Sequence, residues 1–299
     1  MMSLMSADIP VAAKLPGSGA TSALLTGASG AIGGAVAREL AARGVQLAIS
    51  GRNVEKLKSL AEQIATTAGT TPTVLAADLG HRGNAARLAG EATAALGRVD
   101  AIVNNAGVIL DGLLWVAGDG DEARQLLETN FWSPIALVAA LAPAMIDRGS
   151  GTVVNVGSIA GMSAIARIGH YSSSRAALTL VTGVMNKELG PRGIRVVEVV
   201  LGPIDTPSRR GSGIQRSPSR RSKMARNRPP LGTIELAAKA IADAVTGDAR
   251  GSTFYPRSMG LSRMIPQLSK LFGSDPTADA LRDLTVRFGA PEGSERPAE

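Results

Sequence analysis

The sequence predicts an α/β domain, a doubly wound parallel sheet with helices on both faces. Three observations lead there. Short apolar runs alternate along the chain with longer stretches of helical periodicity, the pattern of right-handed βαβ units. The runs AIVN, TVVNV and RVVEVV are close to continuously apolar, as strands covered on both faces require. A glycine-rich turn separates the first apolar run from the first helical stretch.

Each element follows from local signals. Ala23–Thr26 reads as the first strand and Ile32–Arg43 as the first helix, stopped by Gly44, a residue suited to the position after a helix end. Gln46–Ser50 is the second strand, and Asn53 caps a helix over Val54–Ala68. Thr73–Ala77 is the third strand, Ala85–Leu96 a helix, and Ala101–Asn104 the fourth strand. One long helix is expected from about Glu122 to Ile146. Thr152–Val156 is the fifth strand, Tyr171–Leu189 a helix, and Arg195–Val200 the sixth strand. A helix over Glu235–Val245 and a strand at Thr253–Tyr255 close the domain. The expected organisation is a flexible leader over residues 1–21, one domain over 22–258, and a C-terminal amphipathic segment with a disordered tail over 259–299.

Composition excludes several chemistries. With no cysteine among 299 residues there is no disulfide framework, thiolate metal site or cysteine nucleophile. His81 and His170 are the only histidines, too few for a histidine-rich zinc centre, and no metal is expected. No run reaches the roughly 18 apolar residues of a membrane span, and the N-terminus lacks the pattern of a secretion signal. A cytoplasmic protein without stable membrane insertion is the expectation. The net charge of +7 is local: eight Arg and Lys residues lie between Ser208 and Pro230, leaving −1 elsewhere. A nucleic-acid partner is not expected, because the basic character is confined to one segment with no aromatic residues for stacking bases.

The glycine-rich turn is Thr26-Gly27-Ala28-Ser29-Gly30-Ala31-Ile32-Gly33. Glycines here let the backbone approach a pyrophosphate, and the helix N-terminus favours its charge, so a dinucleotide is the expected ligand. At the end of the second strand, where an NAD site usually carries a carboxylate, the chain has Gly51 and then Arg52. An arginine fork binds a 2′-phosphate that a carboxylate would repel, which favours NADP (NADPH) over NAD.

Further candidates follow the later strands: Asn104-Asn105-Ala106-Gly107 after the fourth, Asn130 in the next helix, and Ser158 after the fifth. Tyr171 stands thirteen residues beyond Ser158, with Arg175 one helical turn further on the same face. Together with Asp78-Leu79 and Gly202-Pro203-Ile204 with Thr206, these motifs resemble the short-chain dehydrogenase/reductase family over about four-fifths of the chain.

That resemblance implies a single Rossmann-like domain with a seven-stranded sheet. It implies an NAD- or NADP-dependent oxidoreductase that interconverts a carbonyl and a secondary alcohol, and a homodimer or homotetramer. Tyr171 would be the general acid/base, Ser158 would orient the substrate oxygen, and Asn130 would help hold a water. Thr26, Gly27, Ser29, Gly30, Ile32, Gly33, Arg52, Asp78, Leu79, Asn104, Ala106, Gly107, Ile204 and Thr206 would contact the cofactor, with Tyr171 and Arg175.

Three departures stand out. Ala31 occupies the usual middle glycine position, with Gly30 one place earlier, and Leu201-Gly202 replaces the usual Pro-Gly. The third is Arg175, where the family normally has lysine. Arginine keeps the positive charge and can hold a ribose, but its fork is larger and planar. A non-catalytic NADP-binding protein is therefore a competing reading.

The basic segment 208–230 falls where the family carries a substrate lid and is expected to be mobile. It suggests a substrate bearing an anionic carrier group, or an anion-binding interaction module as a third reading. Apolar Ile165 and Ile168 point instead to an apolar substrate.

Overall fold

The computed structural model describes residues 21–206 and 232–255. The expected leader up to residue 20, the basic segment 208–230 and the C-terminal segment 259–299 lie outside the described residues.

Seven parallel strands form one sheet in the order β3-β2-β1-β4-β5-β6-β7. They are β1 Ser22–Thr26, β2 Gln46–Gly51, β3 Thr73–Ala76, β4 Ala101–Asn104, β5 Gly151–Ser158, β6 Ile194–Leu201 and β7 Gly251–Tyr255. The helices are α1 Ala31–Ala42, α2 Val54–Ala68, α3 Asn84–Leu96, α4 Leu114–Ala117, α5 Asp121–Leu127, α6 Ser133–Asp147, α7 Gly169–Leu189 and α8 Ile234–Thr246. Strand order reverses between β1 and β4, so the crevice at their carboxyl ends is where a ligand of this fold binds.

Alternate strand residues feed two cores. Leu25, Ile49, Val103 and Val199 pack under α1, α2 and α8, whereas Leu24, Ile102, Val153 and Val196 pack under α3 and α6. On this second face the apolar layer gives way to a polar row one step nearer the carboxyl edge. Asn104 pairs in register with Asn155, Asn155 with Glu198, and Glu198 with Ser252. Asn104 donates to Asn155 at 2.8 Å, Asn155 to Thr182 at 2.8 Å, and Ser252 to Glu198 at 3.0 Å.

The long helix expected from Glu122 to Ile146 is broken. A π turn over Glu128–Trp132 separates α5 from α6, and the Ser133 N–H bonds to the Glu128 carbonyl five residues back. Pro134 supplies a physical reason: it has no N–H to offer the Asn130 carbonyl four residues earlier. The run Asp121–Asp147 is long enough for a membrane span and contains an 18-residue stretch with a mean hydropathy of 1.4. Its α6 nevertheless buries Leu137, Leu141 and Met145 in the second core, as core helices do.

Smaller differences matter for the site. β5 runs to Ser158, so that serine ends the strand, and α7 starts at Gly169, placing Tyr171 inside its first turn. Asn53 caps α2 as its sequence predicts, accepting from the Lys56 N–H at 2.9 Å. Buried Arg195 donates to the carbonyls of Ala244 and Val245 at the end of α8, to that of Ala249 in the turn beyond it and to the Thr152 hydroxyl. Burial and the like charge of Arg250 hold its pKa below the ordinary arginine value, with Asp248 opposing.

Candidate active site

The glycine turn between β1 and α1 forms one wall. Gly27 has φ +69°, and a methyl group there would lie 2.8 Å from the Ala106 backbone. A methyl on Gly33 would collide with the Gly27 carbonyl. Gly30, at φ −86°, tolerates side chains sterically, so moving the middle glycine by one place leaves the turn intact. Gly30 at the N-cap has no side chain to cap α1, which suits its first N–H groups to an anion. Beneath this turn the buried Thr26 hydroxyl donates to the Val103 carbonyl and accepts from the Asn105 and Ala106 N–H groups at 3.1 and 3.0 Å. The Asn105 amide donates to the Thr26 and Gly27 carbonyls at 2.9 and 3.3 Å. Sequence reading assigned no role to Asn105, although the doubled asparagine was its signal.

The catalytic candidates lie at the end of β5, in the π turn and in the first two turns of α7. Arg175 is only 5% exposed. Its guanidinium carbon lies 5.3 Å from the centre of the Tyr171 ring, and Nη1 donates to the Val156 carbonyl, two residues before Ser158, at 3.1 Å. Nη2 occupies the space a Cβ on Gly107 would need. The guanidinium is thus wedged between the loop after β4 and the end of β5, under the phenol. The Ser158 hydroxyl accepts from the Ala160 N–H at 3.2 Å. Fully buried Asn130, in the π turn, brackets Val108 by accepting from its N–H and donating to its carbonyl, each at 2.9 Å. It also donates to Ser174 at 3.0 Å, tying this loop to α7.

The remaining sequence-predicted residues surround this centre. Ser29 lies against Gly51, where a methyl group would come within 2.7 Å of its hydroxyl. Ile32 is half-buried at the start of α1, and Arg52 is exposed at the end of β2. Asp78 accepts from the Gly80 N–H at 2.9 Å, and the Leu79 carbonyl accepts from Ser133 at 2.9 Å, both just beyond β3. Asn104 is buried at the end of β4, and Ile204 bridges to Gly232 with Thr206 two residues on. Sequence reading missed a cleft of about 280 Å³ beside the glycine turn. Ser29, Arg38, Lys56, Ser59 and Gln63 line it with no carboxylate among the described residues, and Arg38 is held by Gln63 at 2.7 Å.

A dinucleotide fits this edge. Four buried side-chain polar atoms lack a partner among the described residues: Ser50 Oγ, Asn104 Oδ1, Ser172 Oγ and Arg175 Nε. All lie at the ends of β2 and β4 or in the first two turns of α7, around the crevice beside the glycine turn. Such an arrangement suits a dinucleotide-dependent enzyme. The family model for short chain dehydrogenase matches residues 21–216. The chain belongs to that family and is an NAD(P)-dependent dehydrogenase or reductase.

Individual relatives agree. The chain is 30% identical over 185 residues to an uncharacterized oxidoreductase of Staphylococcus saprophyticus, covering 62% of this chain and 79% of the relative. A metagenomic short-chain oxidoreductase in complex with NADP is 28% identical, with TM-score 0.64 over 78% of this chain and 96% of that one. A short-chain dehydrogenase from Sphingobium yanoikuyae in complex with NADPH, 23% identical, shares the fold with TM-score 0.69 over 86% of this chain and 97% of that one.

Proposed function

We propose that the chain interconverts a small-molecule carbonyl compound and its secondary alcohol, with NADP(H) preferred over NAD(H). When bound, the nicotinamide supplies or accepts the hydride. In reduction Tyr171 donates its phenolic proton to the substrate oxygen, and the Ser158 hydroxyl hydrogen-bonds that oxygen and holds it in line. Arg175, fixed by Val156 and Gly107, keeps a permanent positive charge beside the phenol, where it stabilises the phenolate left after proton transfer, and it holds the ribose. Asn130 fixes the loop after β4 against α7 and helps hold a water for returning the proton. The observation that carries this reading is the Arg175 guanidinium seated between Tyr171 and the end of β5.

The preference for NADP rests on the adenosine end. A side chain in place of Gly51 would crowd Ser29, Arg38 and Lys56 line the adjacent cleft with no acidic residue among the described residues, and exposed Arg52 directly follows Gly51. The relative in complex with NADP points the same way. A homodimer or homotetramer is part of the same reading. Leu180 on α7 is 74% exposed and Trp132 beside α6 is 54% exposed. No charged residue interrupts Thr129–Ile146 or Ala176–Asn186, so the faces suit a second, identical copy.

The test is turnover of a ketone panel with each nucleotide. Tyr171→Phe is expected to lower kcat by about 10²–10⁴ while the NADPH dissociation constant stays within twofold. Full turnover by that variant would overturn the reading. Arg52→Asp is expected to weaken NADPH binding by at least about tenfold and leave NADH binding unchanged.

A further inference from the structure

Two segments flank the catalytic candidates in sequence, and on the proposed reading they border the substrate. One, residues 108–118, follows Gly107; the other, residues 159–170, joins Ser158 to Tyr171. They are stitched together. The Gly112 N–H donates to the Arg167 carbonyl at 2.8 Å, and Gly112 forms a parallel bridge with Ile168. His170 Nε2 lies 2.7 Å from the Gly118 carbonyl. Across the seam the Arg167 fork grips Asp111, with Nε 2.9 Å from one carboxylate oxygen and Nη2 3.1 Å from the other.

Arg167 carries the seam at a conformational cost. Its φ of +75° is the only positive value on a non-glycine residue among the described residues. Side chains other than glycine, asparagine and aspartate rarely adopt that region, and such strain persists only where the surroundings hold it. Here a two-pronged, charge-assisted ion pair and a backbone hydrogen bond hold it, four residues before the general acid/base.

The charge pattern adds a second point. Asp111 is the only charged residue between Val108 and Gly118, and Arg167 the only permanently charged one between Ile159 and His170. The two neutralise each other. Apart from Ser163 and the His170 engaged with Gly118, the remaining side chains are apolar: Ile109, Leu114 and Trp115 are exposed on one segment, and Ile165 and Ile168 are half-buried on the other.

We infer that Asp111 and Arg167 form a strap that holds the two walls of the substrate mouth in register, and that this mouth takes an uncharged, apolar carbonyl compound. The inference rests on the oxidoreductase reading above and adds to it the substrate class and two positioning residues. Neither residue touches the reacting atoms. They act through the backbone pairing of Gly112 with Arg167 and Ile168, which sets the approach to Tyr171.

Three variants test it. Asp111→Asn removes the ion pair and keeps the strained residue. Arg167→Gly removes the ion pair and relieves the backbone. The exchange Asp111→Arg with Arg167→Asp restores opposite charges and puts at position 167 a residue that tolerates positive φ. With a phenyl alkyl ketone, each single variant is expected to raise KM about tenfold, with kcat and the NADPH dissociation constant within threefold of wild type, and the exchange to recover most of the loss. Hydrogen exchange at the Gly112 amide is expected to speed up in both single variants and slow again in the exchange.

Paired ketones with and without a terminal carboxylate read the charge. Wild type should favour the neutral ketone. Asp111→Asn, leaving Arg167 unpaired, should shift the KM ratio toward the carboxylated ketone, and Arg167→Gly should shift it away. Wild-type KM and amide protection in both single variants would overturn the strap, and a wild-type preference for the carboxylated ketone would overturn the substrate class. If the wild type reduced no ketone, the oxidoreductase reading would fail, while Gly112 exchange would still decide whether the strap exists.

Discussion

Arg175 shows how one substitution reshapes its surroundings. A lysine at that position would end in a compact ammonium, whereas the guanidinium extends sideways into the space above Gly107. Gly107 therefore leaves a vacant side-chain position for Nη2, in addition to the cofactor contact proposed for its backbone. Gly107→Ala is expected to expel the guanidinium and weaken NADPH binding and turnover by at least about tenfold, roughly 1.4 kcal/mol. In an Arg175→Lys background the same alanine should cost less than about threefold, because the conflicting nitrogen is gone. Equal losses in both backgrounds would show that Gly107 matters for another reason; nucleotide titration with steady-state rates on the four proteins decides it. Glycine motif, serine, tyrosine and arginine could all be read from the sequence, since each is a residue type at a fixed offset. The φ of Arg167 could not: nothing in the string ARIGHY distinguishes a strained arginine from a solvated one.

Among the elements, those bounded by local chemistry match their sequence signals. Asn53 and Gly69 bracket α2 because one accepts from an early N–H and the other adopts a left-handed φ of 69°. The stretch after Glu122 departs from regularity for a reason periodicity does not register, namely the missing N–H of Pro134. The end of α8 is secured from outside its own sequence. Its carbonyls are satisfied by Arg195 on β6, which also reaches Thr152 on β5. Arg195→Met preserves most of the volume but leaves several acceptors without a donor. Its expected effect is a loss of about 3 kcal/mol in unfolding free energy, read by urea denaturation. Nucleotide affinity in the folded fraction should not change, because Arg195 lies toward the opposite end of the strands from the crevice.

For the whole molecule, the uncharged faces of α6 and α7 are the largest question of assembly. Leu180→Glu places a charge in the middle of the α7 face. If two copies meet there, the variant is expected to sediment at half the mass of the wild type with the fold retained by circular dichroism. An unchanged mass would place the interface elsewhere. Binding should also be visible in stability: NADPH at 100 times its dissociation constant is expected to stabilise the folded chain by about 2.7 kcal/mol, and thermal melting with NADPH and with NADH would rank the two.

The staple of Thr26 and Asn105 beneath the glycine turn has one more implication. With β1, β4 and the turn already locked to one another, the floor of the cradle is finished before any nucleotide arrives. Little ordering entropy is left to lose there on capture, so arrival of the dinucleotide should be governed by diffusion and electrostatic attraction and not by loop closure.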